Sequence, residues 1–423
     1  MRIRLILLLA LIVGSGQGAP ALSQVTDPSE LLKTADEMVR TTARLRGLEP
    51  KTDISRGVKT REEISRYLNE RVQEEYSLRE LLLEGKTLQK LGLIPASIDY
   101  KEFMLKLLSE QVGGFYDPER KTFFIASWLP VAEQKMVMVH ELTHALQDQY
   151  FDVNKILKAD RKLSNDDRML AHQAFLEGDG MAVMIEYLLE PAKRHFAELP
   201  DLAFVMRLQM ATAQEQFSVF KSAPPFIREM LLFPYGYGAS FMQQVWKQDS
   251  SWQAINKIYA DLPGSTEQIL HPEKYYGVRD EPKPVNAEAL AARLGKSWKV
   301  AYKNVMGEFA LGLLMSLHLT EERSRRAAAG WGGDQVLLLE NEAGKDTVLL
   351  STLWDTAGDA EKFYAAMDEW FRQRYPKAVR TNESPTGFSV VQDGEFNALR
   401  LEGAEVRFVL GLPEADAPKP PGF

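Results

Sequence analysis

The residues of this chain best suited to chemistry lie in one run, Met136-Val137-Met138-Val139-His140-Glu141-Leu142-Thr143-His144-Ala145-Leu146-Gln147-Asp148, which holds the pattern H-E-x-x-H. On a helix, residues four apart stand one above the other, so His140 and His144 can aim both imidazoles at one ion while Glu141 faces a water on that ion. Such a water is a nucleophile near neutral pH, and the run reads as a zinc site. With 6 His and 59 acidic residues among 423, shuffling gives about 0.01 such patterns, so this one is informative. The apolar neighbours Met136, Val139, Leu142 and Leu146 bury the polar trio, and a metal would offset that burial. The bland alternative is a surface helix with two hydrogen-bonded histidines.

A third ligand must come from another element. Ser164-Asn165-Asp166-Asp167 opens a helix expected to run to about Leu189, carrying Ala174-Phe175-Leu176-Glu177-Gly178-Asp179-Gly180-Met181. Glycine inside a helix costs up to about 1 kcal/mol relative to alanine, so two of them beside an acidic pair signal close backbone approach. Glu177 is the preferred ligand, because two imidazoles and one carboxylate leave a fourth position open for water. His172 competes, but it lies about 140° round the helix from Glu177 and cannot easily point at the same ion. Asp179 is read as a supporting hydrogen-bond partner, and Asp148 as either a group orienting an imidazole or the end of its helix. For the oxyanion that forms at an attacked carbonyl, the candidates are His271, Tyr235 and Tyr237.

These residues need a scaffold. A chain of 423 residues with 45% hydrophobic content is long enough for two or three domains with a real core. A net charge of −8 without a Lys/Arg cluster argues against nucleic acid as a partner. Residues 1–23 read as a secretory signal: Arg2 and Arg4, the apolar run Leu5 to Val13, then small residues ending near Ala21-Leu22-Ser23. That run is too short to span a bilayer, so no stable membrane anchor is expected after cleavage. With no cysteine there is neither a disulfide nor a lipobox, which predicts a secreted or periplasmic protein starting near Gln24.

Residues 24–95 read as a helical segment packed on the catalytic domain, with a helix start at Asp27-Pro28-Ser29-Glu30 and a capping box at Thr60-Arg61-Glu62-Glu63. Residues 96–330 form the expected catalytic domain. Within it, a hairpin of Val112 to Tyr116 and Thr122 to Ala126 is either an edge for an extended peptide or an ordinary core hairpin. Phe151 to Leu163 reads as polar connecting chain, Asp201 to Trp246 as helical with a break at Phe233 to Gly238, and Leu290 to Leu319 as a helical pair. Residues 331–412 read as a small α+β domain and 413–423 as a disordered tail. The fold class expected is therefore α+β, predominantly helical, with a small sheet in the catalytic domain.

The run His140-Glu141-Leu142-Thr143-His144 with Glu177 downstream resembles the gluzincin group of zinc metallopeptidases, of which thermolysin is the familiar member. The resemblance implies a zincin-like domain in which His140, His144 and Glu177 bind one zinc ion, Glu141 is the general base, and a peptide or protein is the substrate. The stretches His140 to Gln149, Leu176-Glu177-Gly178-Asp179 and Glu267 to Tyr275 are also similar to a family of exported bacterial zincin-like proteins of poorly defined function, over most of residues 90 to 340. One departure is that thermolysin-like enzymes place an aspartate four after the ligand glutamate, where this chain has Met181. Rival readings are a zinc hydrolase of another amide, such as a cell-wall cross-link, and a catalytically silent zinc-binding envelope assembly protein.

Overall fold

The structure, a computed structural model, describes residues 8–11, 27–75, 77–129, 131–213 and 218–418. It is an α+β fold with a helical majority and two sheets. Strands β1 (Leu8–Leu11), β2 (Ser55–Lys59), β3 (Val112–Asp117) and β4 (Thr122–Ala126) form the first sheet in the order β1-β3-β4-β2. β3 and β4 are the expected hairpin, antiparallel from Gly114 opposite Ile125 to Asp117 opposite Thr122. β2, parallel to β4, falls in a stretch expected to be helical; Ser55-Arg56-Gly57-Val58-Lys59 has one large apolar residue, so it carries no alternation to read.

Helix α1 (Pro28–Arg46) starts at Asp27, whose side chain accepts from the Ser29 amide. The capping box is also present, with the Thr60 amide donating to Glu63 Oε2 at 2.8 Å and the Glu63 amide to Thr60 Oγ1 at 3.3 Å. α2 (Val131–Phe151) carries the motif and packs on β3, β4, α1 and α3 (Asp166–Leu189). Neighbours on every side explain why every residue from Val137 to Asp148 is buried, polar ones included, instead of one stripe. α3 is deeper still: from Met169 to Ile185 every residue except Gln173 is buried.

Two expectations fail between these helices and the second sheet. The stretch Phe151 to Leu163 contains a helix, Val153–Arg161, started by Asp152. The expected break at Phe233 to Gly238 is absent, because α4 (Pro225–Gln248) runs through it. Proline removes one helical hydrogen bond, and packing offsets the loss. Here that packing is α4 crossing α3 at glycines: a Cβ on Gly238 would stand 2.0 Å from the Ala174 carbonyl oxygen, and one on Gly178 2.4 Å from the Gly238 carbonyl carbon.

The second sheet comprises β5 (Trp298–Asn304), β6 (Trp331–Asn341), β7 (Asp346–Trp354), β8 (Arg380–Ser384), β9 (Gly387–Gln392), β10 (Glu395–Glu402) and β11 (Glu405–Pro413), ordered β5-β6-β7-β11-β10-β9-β8. Every pairing in it is antiparallel. β5 replaces the middle of the expected helical pair and joins this sheet ahead of residue 331: Trp298, Tyr302 and Asn304 turn inward while Lys299 and Lys303 stay outside. Before the sheet comes α5 (Thr266–Leu270), and between its strands lie α6 (Gly307–Ser316) and α7 (Ala357–Arg374). Both sheet faces are covered. Val336, Leu338 and Leu350 meet Phe363, Met367 and Trp370 of α7 on one face, while Leu337, Leu339 and Leu349 meet Ala287 and Leu290 on the other. Asp393 and Gly394, at φ 53° and 74°, make the two-residue turn that joins β9 to β10.

At the chain ends, Leu8–Leu11 are the described part of the expected signal; they pair antiparallel with β3, Leu8 opposite Tyr116 and Leu11 opposite Val112. The rest of residues 1–23 lies outside the described residues. The expected tail is ordered at its start, since β11 reaches Pro413 and the Glu414 amide donates to the Gly394 carbonyl at 2.9 Å. Among the described residues no helix is long and apolar enough to cross a membrane.

Candidate metal centre

α2 sets His140 and His144 one turn apart, and α3 crosses it with Glu177 facing them. Glu177 Oε2 stands 2.9 Å from His140 Nε2 and 3.4 Å from His144 Nε2, and the two Nε2 atoms are 3.1 Å apart. Ligands of a tetrahedral zinc lie about 3.4 Å from one another, so this triangle is close to such a set and slightly tighter. The donor set of two imidazoles and a carboxylate suits zinc chemically. All three are buried, at 1%, 0% and 4% exposure. Burial lowers the pKa of the His140 imidazole, favouring the neutral form that ligates. Burial alone would raise Glu177, but the His144 and His140 imidazoles hold its pKa below the usual carboxylate range.

Gly180 makes room for this packing. A Cβ there would stand 2.9 Å from His140 Cε1 and 3.2 Å from His144 Cε1. Close approach at both glycines of α3 was the sequence expectation, and the two serve different neighbours: Gly178 meets α4, and Gly180 meets the imidazoles.

Glu141, fully buried, accepts from the Tyr116 amide through Oε2 at 2.7 Å, which ties the motif to β3. Behind His144 runs a chain of hydrogen bonds. His144 Nδ1 meets Gln147 Oε1 at 2.8 Å, and Gln147 Nε2 donates to Asp179 Oδ2 at 3.2 Å and to the Leu176 carbonyl at 3.0 Å. Asp179 in turn accepts from Arg46 Nε at 2.7 Å, Arg46 Nη2 at 3.0 Å and the Tyr259 hydroxyl at 2.6 Å, all buried. Asp179 thus supports an imidazole through Gln147 and not directly. Gln147, Arg46 and Tyr259 were not singled out from the sequence. Gln147 lies three after His144 on the same helix face, a signal that was readable; Arg46 and Tyr259 come from distant segments and left no local trace.

The other candidates are placed elsewhere. His172 Nδ1 pairs with Asp160 Oδ2 at 2.7 Å, away from the trio. Asp148 accepts from the Tyr116 hydroxyl at 2.9 Å and, among the described residues, orients no imidazole. Tyr235 is the oxyanion candidate beside the trio, its ring centroid 6.1 Å from that of His140. His271 and Tyr237 line a separate cavity whose walls include none of His140, Glu141, His144 or Glu177. His271 is held there by Glu308 at 2.9 Å and Tyr237 by Arg207; a two-residue step, about 200° round the helix, points Tyr235 and Tyr237 to different sides of α4. A second acidic group, Glu267, Asp280 and Asp355, has the spacing of a metal site. Its cation is internal: Lys274 Nζ lies 2.6, 2.9 and 2.8 Å from the three carboxylates.

The sequence model of a domain of unknown function (DUF8575) matches residues 298–419, the stretch that contains all seven strands of the second sheet. No curated protein matches the chain. Among solved structures, a provisionally assigned hydrolase with a novel fold from Chloroflexus aurantiacus is similar at 16% identity and a TM-score of 0.39, over 61% of this chain and 91% of that one. At that score the likeness carries no weight for function.

Proposed function

We propose that this protein is an exported zinc-dependent metallopeptidase. The observation that carries the reading is the buried triangle of His140 Nε2, His144 Nε2 and Glu177 Oε2, with Glu141 one residue from the first ligand. A bound zinc would lower the pKa of a water and draw charge from the scissile carbonyl. His140, His144 and Glu177 would hold the ion, and Glu141 would serve as the general base, accepting a proton from the attacking water and returning it to the leaving amine. The Tyr116 amide fixes one carboxylate oxygen of Glu141 during this exchange.

Substrate placement is supported by β3. Its outer edge pairs with an extended segment, Leu8–Leu11, beside α2. Removal of residues 1–23 on export takes that segment away and leaves the edge for an extended peptide, which would gain backbone hydrogen bonds next to Glu141. Hydrolysis of another amide follows the same chemistry, and the burial of the trio favours a second reading, a silent zinc protein with a closed fourth position.

Glu141→Gln separates these. It is expected to bind zinc as the wild type does and to lower peptide turnover by about 10²-fold or more. Turnover unchanged in that variant overturns the catalytic reading, as does inactivity of the metal-loaded, leader-free wild type on a peptide library.

A further inference from the structure

Arg46 is the last residue of α1 and is fully buried. Its guanidinium makes a fork on Asp179, with Nε 2.7 Å from Oδ1 and Nη2 3.0 Å from Oδ2, and Nη2 also donates to Asn256 Oδ1 at 2.8 Å. The group lies over the Trp252 ring at 4.6 Å; Trp252 and Asn256 belong to the helix Trp252–Ile258. Replacing a buried ion pair by apolar residues of similar volume is often neutral or stabilising, so stability alone does not account for this one. Arg46 Nη1 adds to its cost, being buried with no hydrogen-bond partner among the described residues.

What the pair touches is the amide that holds His144. Gln147 Nε2 faces two acceptors, the Leu176 carbonyl at 3.0 Å and Asp179 Oδ2 at 3.2 Å. Arg46 has donors only, so the two Asp179 oxygens that face it accept, and Asp179 turns no proton toward Gln147. A flipped Gln147 amide would set its oxygen against both acceptors. The amide oxygen is thereby kept 2.8 Å from His144 Nδ1, where a proton is needed to complete the bond. A neutral imidazole has a single N–H, so His144 Nε2, which faces His140 and Glu177, is left with its lone pair.

We propose that Arg46 is a positioning residue of the metal centre, acting through Asp179 and Gln147 to keep the His144 proton on Nδ1 and Nε2 ready to ligate. The proposal rests on the zinc reading of His140, His144 and Glu177, and it brings the N-terminal helix α1 into that centre.

The test combines Arg46→Met with Asp179→Asn in the full chain, which removes both charges together so that neither is left buried alone. In competition with a chromogenic chelator, this variant is expected to bind zinc at least about tenfold more weakly while circular dichroism shows a native fold. Asn256→Ala, which takes a bond from Arg46 and none from Asp179, should lower the melting temperature and leave zinc affinity unchanged. NMR spectra of the histidine ring nitrogens in the metal-free chain, with the His144 signals identified by their absence in His144→Asn, report the proton without depending on zinc. The wild type should carry it on Nδ1, and the double variant should share it between both nitrogens. Wild-type affinity or an unchanged His144 spectrum in the folded double variant, an equal loss of affinity in Asn256→Ala, or a wild-type His144 protonated on Nε2 alone overturns the proposal. A wild type that binds no zinc although its His144 proton is on Nδ1 would instead overturn the zinc reading, and the proposal with it.

Discussion

The support of His144 rests on one amide. Gln147 accepts from His144 Nδ1 and passes the orientation on to Asp179, which the buried Arg46 neutralises. Removing the group that holds a metal-ligating imidazole typically costs 10- to 100-fold in affinity. Gln147→Ala is therefore expected to weaken zinc binding by about that factor in competition with a chromogenic chelator, while its fold stays native by circular dichroism. Affinity equal to wild type would remove Gln147 from the site. At this scale the sequence was most legible where chemistry is local: His140, Glu141 and His144 lie within one turn of a helix, and Glu177 immediately precedes Gly178 and Gly180, which cost helix stability. His271 and Tyr237 were misread because residue type alone does not tell which side of α4 a tyrosine faces, and the deciding contacts, Glu308 and Arg207, lie far away in the chain.

At the scale of elements, the crossing of α3 and α4 sets where Glu177 stands. A Cβ at 238 meets the Ala174 carbonyl oxygen at 2.0 Å, which is contact with backbone that cannot swing aside. Gly236, two residues earlier on the same helix, has nothing nearer than 3.7 Å. Gly238→Ala should thus force the helices apart at a cost of about 1–3 kcal/mol or more, lowering both the melting temperature and zinc retention. Gly236→Ala should leave both unchanged or raise stability slightly, since alanine is the better helix former. Equal effects of the two would contradict the crossing. The helices, their caps and the β3–β4 hairpin were readable because their signals are local. The strands β2 and β5 were not, since each is completed by a partner, β4 or β6, that propensity cannot supply.

Across the whole molecule, the helical part and the second sheet meet through buried acids. Asp167, at the start of α3, accepts from the Thr266 amide at 3.1 Å and from its hydroxyl, while Asp334 in β6 accepts from the Met306 and Gly307 amides at 2.9 and 2.8 Å. Burial, with Asp334 and Glu308 nearby, pushes the Asp167 carboxyl up to about 8 from an ordinary 3.8. A carboxyl whose folded pKa is raised binds its proton more tightly in the native state. Its contribution is full below 3.8, is lost progressively as pH rises, and is gone above about 8. The melting temperature of the wild type should therefore fall between pH 5 and pH 8 relative to Asp167→Asn, which keeps an oxygen for Thr266 and has no proton to lose. Parallel curves for the two proteins would rule this out. The sequence placed the boundary of the second unit near residue 331, where composition changes; the sheet begins at β5 because pairing, not composition, decides membership.

The most direct test of the account is the zinc content of purified full chain, measured for wild type beside Glu177→Ala and His172→Ala. The account predicts one ion per chain in the wild type and in His172→Ala, and its loss in Glu177→Ala. Loss in His172→Ala alone, or no zinc in a wild type dialysed against it, would contradict the ligand set on which the proposed function stands.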